Sequence, residues 1–202
     1  MYQRALAGKE KVLGPDHPLT LGTVDNLGIM YGDQGRLVEA EAMHRQALAG
    51  KEKVLGPDHP STLDTAHNFG ILYQIQNRMI EAEAMRQRAL VGTEKVLGPD
   101  HLKVLYTVSS LGSLYSSQGR LVEAEMMYQR ALAEIEKFLG LDHLSTLITV
   151  GHLGILYMDQ GRMAEAEAMH QRALTGIAKV LGPDHSSTLA MGNNLRIIYE
   201  KQ

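Results

Sequence analysis

Five aspartate–histidine pairs are the residues of this chain that first suggest chemistry, because a carboxylate beside an imidazole can bind a metal or exchange protons. They recur every 42 residues within Leu-Gly-Pro-Asp-His or a close variant, as Asp16-His17, Asp58-His59, Asp100-His101, Asp142-His143 and Asp184-His185. Catalysis needs groups that converge at one place, whereas evenly repeated residues are spread along a stacked array. We therefore interpret the segment as a loop in which glycine and proline end one helix and aspartate caps the next.

A second spacing with chemical potential is Glu-x-x-His, which occurs as Glu41 with His44 and as Glu167 with His170. On a helix this spacing places both side chains on one face, as in the di-iron sites of helical bundles. The two copies lie three repeats apart, and the chain has no cysteine. The sequence also lacks HExxH, GxSxG and a glycine-rich phosphate loop. We expect no catalytic residue, no metal and no cofactor, and we interpret the chain as a non-enzyme.

The composition narrows the classes of partner and compartment. The formal charge is −3, with 20 basic and 23 acidic residues in 202, and the basic residues form no stripe that could follow a phosphate backbone. No apolar run reaches the roughly 20 residues needed to span a bilayer, and the first residues do not resemble a signal peptide. We expect a cytoplasmic protein that binds neither nucleic acid nor membrane.

The elements that position these residues follow from the 42-residue period, which the tyrosines at 31, 73, 115, 157 and 199 share. Such a period indicates stacked supersecondary units. In the first full unit Leu21, Val24, Leu27 and Tyr31 form the apolar stripe of a helix A that runs from Pro18 to residue 34. Helix A is followed by a turn at Gly35, Asn77, Gly119 and Gly161, residue types that close helices in the left-handed conformation.

Helix B follows each turn, so the sequence predicts ten helices and no strand. The A and B helices are predicted at 18–34 and 36–55, 60–76 and 78–97, 102–118 and 120–139, and 144–160 and 162–181, between an opening B helix and a last A helix at about 186–202. We expect one array over residues 1–202, with a half repeat at 1–13, full repeats at 14–55, 56–97, 98–139 and 140–181, and a terminal helix within 182–202.

Small residues at fixed positions predict close helix packing within each unit. Each full repeat has glycine at one fixed position of helix A, which is Gly28, Gly70, Gly112 or Gly154, and alanine at two fixed positions of helix B, the first being Ala40, Ala82, Ala124 or Ala166 and the second Ala47, Ala89, Ala131 or Ala173. Side chains of this size let two backbones approach closely. Helix B carries further glycines, Gly50, Gly92 and Gly176, for which the sequence alone gives no physical reason, since Glu134 stands at the same position.

Leu27-Gly28-x-x-Tyr31 followed by Ala40 and Ala47-Leu48 resembles the tetratricopeptide repeat (TPR), although the period is 42 rather than the usual 34. With Tyr-Gln-Arg-Ala-Leu and Leu-Gly-Pro-Asp-His, the unit is similar to the variant of kinesin light chains and of C-terminal arrays in fungal and bacterial STAND (NB-ARC or NACHT) ATPases. The resemblance implies an all-α solenoid, a right-handed superhelix whose A helices line a concave groove for peptides or protein segments, and no chemistry. The close likeness of the copies also leaves open a designed or consensus-derived repeat.

The face of helix A opposite its packing stripe is the candidate binding surface, because it varies between copies while the packing positions barely change. Isoleucine occupies four of its five central positions, and its asparagines could pair with the backbone of an extended ligand. Drift on a solvated face is the alternative explanation. The candidate groove residues are Asp25, Asn26, Ile29, Asp64, His67, Asn68, Ile71, Tyr106, Ser109, Ser110, Ser113, His152, Ile155, Asn193, Asn194 and Ile197.

The leading hypothesis is a protein-interaction scaffold that takes a peptide or protein segment in this groove, as the sensor arm of a larger signalling protein. Carboxylates on the face predict a ligand that is neutral or basic and partly apolar. The alternative is a structural array that self-associates through its terminal helices. On that alternative we expect an uncovered apolar surface on the last helix, formed by Leu189, Leu195, Ile198 and Tyr199.

Overall fold

A computed structural model describes residues 2–201, which form ten α-helices and no strand. The all-helical prediction is therefore confirmed for this range. The A helices are α2, α4, α6, α8 and α10, and the B helices are α1, α3, α5, α7 and α9. In chain order the bounds are α1 Tyr2–Leu13, α2 Pro18–Asp33, α3 Leu37–Leu55, α4 Pro60–Ile75, α5 Met79–Leu97, α6 Leu102–Ser117, α7 Leu121–Leu139, α8 Leu144–Asp159, α9 Met163–Leu181 and α10 Ser186–Lys201.

Each helix A begins at the histidine of the repeated loop, so the expectation of an aspartate cap is wrong. The histidine Nδ1 accepts a hydrogen bond from the backbone N–H two residues later, as between His17 and Leu19 at 3.2 Å. His59, His101, His143 and His185 do the same at 3.1–3.2 Å. In the first two loops the aspartate instead accepts from a lysine of the following helix B, Asp16 from Lys53 at 2.9 Å and Asp58 from Lys95 at 2.7 Å.

A positive backbone φ angle follows α2, α4, α6 and α8, as the glycine and asparagine positions predicted. The φ angle is 72° at Gly35 and 59° at Asn77, the left-handed region that these two residue types tolerate best. The next residue is an arginine whose guanidinium lies over the tyrosine of the same unit, as Arg36 lies 4.2 Å from the ring centroid of Tyr31. The same pairing recurs at Arg78, Arg120 and Arg162.

The predicted packing stripe forms the core, and the glycines explain how closely its helices approach. A Cβ atom on Gly28 would lie 2.9 Å from the ring of His44 on helix B. The helix B glycines, which the sequence left unexplained, face a leucine of helix A. A Cβ atom on Gly50 would lie 2.5 Å from Leu21 Cδ2, and a Cβ atom on Gly92 would lie 2.5 Å from Leu63 Cδ2.

The structure separates into two compact units, the first ending at Thr107 and the second beginning at Val108. In the first unit α2 packs against α3, α3 against α4 and α4 against α5, and the two A helices α2 and α4 also touch. In the second unit α7, α8, α9 and α10 pack in the same order, and α8 touches α10. The expectation of one array over residues 1–202 stays a prediction.

The last helix corrects one expectation about the apolar surface. Leu195 and Ile198 are buried, whereas Leu189 and Tyr199 are exposed. Only two of the four residues that were expected to form an uncovered apolar surface on α10 are therefore exposed. Among the described residues no helix has the length and apolar character required to cross a membrane.

Candidate functional site

In the first unit the neighbouring A helices α2 and α4 leave a small cleft between them. Its volume is about 90 Å³, and its lining includes Ile29, Gly32, Asp33, Asn68, Ile71 and Ile75. Ile29, Ile71 and Ile75 keep 39%, 37% and 56% of their surface exposed, so the walls offer apolar area to a partner. His44 and Leu72 lie at the base of the cleft.

A buried polar network lies directly behind this cleft and joins α2, α3 and α4. Asp25 is 5% exposed, and His44 and Lys51 are each 2% exposed. His44 Nδ1 lies 2.8 Å from Asp25 Oδ1, and Lys51 Nζ lies 3.4 Å from Asp25 Oδ2. Thr65 Oγ1 accepts from Lys51 at 2.7 Å and donates to Asp25 at 3.0 Å. The network satisfies a carboxylate, an imidazole and an ammonium group that would be costly to bury alone.

The network keeps Asp25 ionised. Burial by itself would raise the pKa of this carboxyl, but the hydrogen bond from His44 and the charge of Lys51 outweigh burial and hold the pKa below its ordinary value. Asp25 therefore serves the packing of three helices rather than an exposed surface. This placement differs from the face on which the sequence had put it.

Asn68 connects the network to the cleft. Its Nδ2 donates to Asp25 Oδ2 at 3.3 Å, which sets the orientation of the side-chain amide. The opposite atom, Oδ1, is then available to a hydrogen-bond donor in the cleft. Asn68 is thus held by the buried Asp25 and lines the cleft.

His67 is a neutral, half-buried histidine next to this network. Its Nδ1 atom is buried and has no hydrogen-bond partner. Burial, followed by the charge of Arg86, lowers the pKa of His67 to about 4, while Asp64 opposes the shift. Asp64 itself pairs with Lys103 at 2.6 Å. The imidazole is therefore uncharged at neutral pH.

The second unit replaces the same network with apolar residues. At the positions of Asp25, Lys51 and Thr65 it carries Gly151, Ile177 and Met191. Ile177 belongs to a buried apolar cluster against which Met191 packs. His170, the counterpart of His44, is fully buried, and neither of its ring nitrogens has a hydrogen-bond partner. Burial lowers the pKa of His170, so it too is a neutral core residue.

The structure distributes the candidate groove residues over a range of exposure. Asn26, Ile29, Ile71, Tyr106, Ile155 and Asn193 are exposed. Asp64, His67, Asn68, Ser109, Ser110, Ser113, His152, Asn194 and Ile197 are half-buried, and Asp25 is buried. Within the first unit, Ile29, Asn68 and Ile71 come together in the cleft described above.

The sequence analysis missed the buried partners of Asp25. Lys51, one of these partners, aligns with Thr93, Ile135 and Ile177, all of which are buried. A lysine at a position that is otherwise apolar or small is the signal that could have identified it. A charge there requires a buried partner.

No metal site emerges from the described part of the chain, where no three histidine, aspartate or glutamate side chains are grouped suitably. Glu41, one half of the Glu-x-x-His spacing, accepts hydrogen bonds from Gln76 and Arg78 of the next repeat at 3.1 and 3.0 Å. Glu125 does the same with Gln160 and Arg162 in the second unit. These glutamates therefore tie consecutive repeats together.

Family models described as tetratricopeptide repeat match residues 1–53, 21–90, 68–133, 106–157 and 146–187. The chain belongs to the tetratricopeptide repeat family. Stacked TPR units are typically protein-interaction scaffolds. The resemblance drawn from the Leu-Gly-x-x-Tyr spacing is thereby confirmed.

Solved structures show the same type of repeat. Nearly identical TPR-like repeats assigned to a kinesin light chain of Podosopora anserina match with a TM-score of 0.76 and 27% identity, over 91% of this chain and 87% of that chain. A form of the same protein with one substitution matches with a TM-score of 0.77 at the same identity and coverage. BtubC (BKLC) from P. vanneervenii matches with a TM-score of 0.83 over 98% of this chain and 80% of that chain, but at 20% identity it supports the fold alone. A comparison with curated proteins gave no match.

Proposed function

We propose that this TPR chain is a non-enzymatic scaffold that binds a peptide or protein segment on the exposed face of its A helices. The observation that carries the proposal is apolar exposure at one repeat position. Ile29, Ile71 and Ile155 occupy equivalent places on α2, α4 and α8 and stay exposed, while their neighbours Leu27, Phe69 and Leu153 are buried. Exposed aliphatic residues at a repeated position favour contact with a partner.

The charges on this face favour a neutral or basic, partly apolar ligand. Asp33 and Asp159 make no ion pair or hydrogen bond through their side chains among the described residues, and both are exposed. Among the cations near this face, Lys103 already pairs with Asp64 at 2.6 Å. An acidic peptide would therefore meet the unpaired carboxylates of Asp33 and Asp159, which would repel it. A role as the sensor arm of a larger signalling protein, such as a STAND ATPase, is compatible with such a scaffold and remains part of the proposal.

A selection with random dodecapeptides displayed on phage, followed by fluorescence anisotropy with the enriched peptides, tests the function on the intact chain. The A-face variant carries Ile29→Ser, Ile71→Ser and Ile155→Ser. The matched control carries Val38→Ser, Ile80→Ser and Val122→Ser, three aliphatic residues on the B helices that are 80%, 83% and 70% exposed. Loss of one buried aliphatic contact is worth about tenfold or more in affinity.

We expect the A-face variant to bind the enriched peptides at least about tenfold more weakly, and the control variant to bind them as the parent chain does. Failure to enrich any peptide would contradict the proposal. Equal weakening by both variants, or weakening by the B-helix control alone, would also contradict it.

A further inference from the structure

The cleft between α2 and α4 is open because of one glycine. Gly32 lines it, and a Cβ atom on Gly32 would meet only Leu72 Cδ1, at an ordinary contact distance of 3.7 Å. In the second unit the equivalent residue is Met158, while the isoleucine, aspartate and asparagine positions of the cleft recur there as Ile155, Asp159, Asn194 and Ile197. The two units thus share these isoleucine, aspartate and asparagine residues of the surface. They differ at the position where the first unit has Gly32, which leaves the space empty, and the second has Met158.

The size of the cleft limits what can enter it. Its volume of about 90 Å³ is well below the roughly 300–1,000 Å³ of pockets that enclose a whole small molecule. A single aliphatic side chain is an occupant of suitable size. Its walls are the exposed Ile29, Ile71 and Ile75, so an aliphatic group would be buried against existing apolar surface, which stabilises a complex.

The charge at one end of the cleft indicates which type of ligand residue would lie next to the bound aliphatic side chain. Asp33 lies one turn beyond Ile29 on α2, is exposed, and has no ion-pair partner among the described residues. The other carboxylates of this region, Asp25, Glu41 and Asp64, are all paired. Asp33 is therefore the carboxylate of this cleft that is available to a cation.

The C-termini of α2 and α4 add partial negative charge at the end of the cleft where Asp33 lies. α2 ends at Asp33 and α4 ends at Ile75, and both residues line the cleft. The C-terminus of a helix carries a partial negative charge, which favours a nearby cation. One helical turn is about 5.4 Å, a distance that a lysine or arginine next to the aliphatic residue can cover.

We propose that this cleft is a specificity pocket, opened by Gly32, that takes one aliphatic side chain of the ligand and places an adjacent lysine or arginine at Asp33. Asn68 Oδ1, oriented by the hydrogen bond from Nδ2 to Asp25, accepts a backbone N–H of the same ligand segment. The inference rests on the proposed function and names the ligand chemistry for one of its contact points.

The phage-displayed dodecapeptide library again supplies the probe, now with a Gly32→Met chain as the comparison target. Gly32→Met copies the residue of the second unit, and methionine has the higher helix propensity, so weakened binding would not reflect a weakened helix. Ala42→Met on the exposed face of α3 is the control for added bulk. We expect enriched peptides to carry an aliphatic residue with lysine or arginine within two positions, and to bind Gly32→Met at least about tenfold more weakly than Ala42→Met.

Asp33→Asn tests the charged contact separately. We expect affinity for those peptides to fall about two- to fivefold at low salt, with a smaller difference at about 0.5 M NaCl, as for a partly exposed ion pair. Asp142→Asn, at an exposed carboxylate in the loop between α7 and α8, is the matched control and should have no effect.

The outcomes separate this inference from the proposed function. Enriched peptides that bind Gly32→Met as tightly as the parent chain, or that lack the aliphatic–basic pattern, would overturn the specificity pocket even if the A-face variant still abolished their binding. Failure to enrich any peptide would overturn both. Loss of binding to Gly32→Met and to the A-face variant, with Ala42→Met unaffected, supports both.

Discussion

His44 on α3 and Asp25 on α2 form a buried hydrogen-bonded contact, with Nδ1 of the imidazole 2.8 Å from Oδ1 of the carboxylate. Lys51 approaches the other carboxylate oxygen at 3.4 Å, so one aspartate joins two residues of helix B. The second unit has glycine where Asp25 stands and leaves His170 without a partner. Equivalent positions of one repeat thus carry either a complete ionic network or an apolar core.

Removing the central carboxylate should strongly destabilise the first unit. Asp25→Ala would leave Lys51 and His44 buried without their partner, and breaking a buried pair in this way costs about 3–5 kcal/mol. Asp33→Ala on the same helix is the control, and it should change stability by less than about 0.5 kcal/mol because Asp33 is exposed and unpaired. Urea unfolding followed by circular dichroism measures both, and similar midpoints for the two variants would contradict the role given to Asp25.

Replacing the network as a set should cost less than breaking it. The triple change Asp25→Gly, Lys51→Ile and Thr65→Met copies Gly151, Ile177 and Met191 of the second unit. Apolar replacement of a buried ionic group is often neutral or stabilising, whereas removal of one partner is not. We expect the triple variant to unfold at a higher urea concentration than Asp25→Gly alone, and a lower midpoint for the triple would show that the two cores are not interchangeable.

Gly50 of helix B should be required for stability, because it lies against the buried Leu21 of helix A. Gly50→Ala would place a Cβ atom 2.5 Å from the buried Leu21, and overpacking of this kind costs about 1–3 kcal/mol. Gly22→Ala is the control, because its Cβ atom would have no neighbour within 4 Å and alanine favours the helix by about 0.5–1 kcal/mol. Opposite shifts of the urea midpoint are expected, and stabilisation by both changes would mean that Leu21 yields without cost.

The parts of the fold that could be predicted are those that depend on local pattern. The stripe of Leu21, Val24 and Leu27 is buried as expected because apolar residues at helical spacing must share one face. The turn at Asn77 could be predicted because few residue types accept its positive φ angle. Each of these features is specified by residues within about one helix length.

The features that escaped prediction depend on contacts between distant residues. Asp25 meets Lys51 and Thr65, which are 26 and 40 positions away, so its helical position alone suggested an exposed face. Gly50 is explained only by the buried Leu21 of another helix. The cap was assigned to Asp16 on residue type, but Lys53 engages that aspartate and His17 is the cap. In each case the deciding partner lies on a different element.

Acidification should weaken the fold through His67. Burial and the charge of Arg86 lower the pKa of His67 to about 4, from an ordinary value of about 6.5 in the unfolded chain. Between these values the unfolded state binds the proton and the folded state does not, so stability is complete above pH 6.5 and falls as the pH approaches 4. From about pH 7 to about pH 5 the loss from this residue is about 2 kcal/mol, since each unit of pKa difference is worth about 1.4 kcal/mol.

Urea unfolding at these two pH values should show a smaller loss of stability for His67→Gln than for the parent chain. His152 and His170, whose pKa values burial also lowers, keep some pH dependence in both proteins. Equal losses for the two proteins would show that His67 titrates as an exposed histidine.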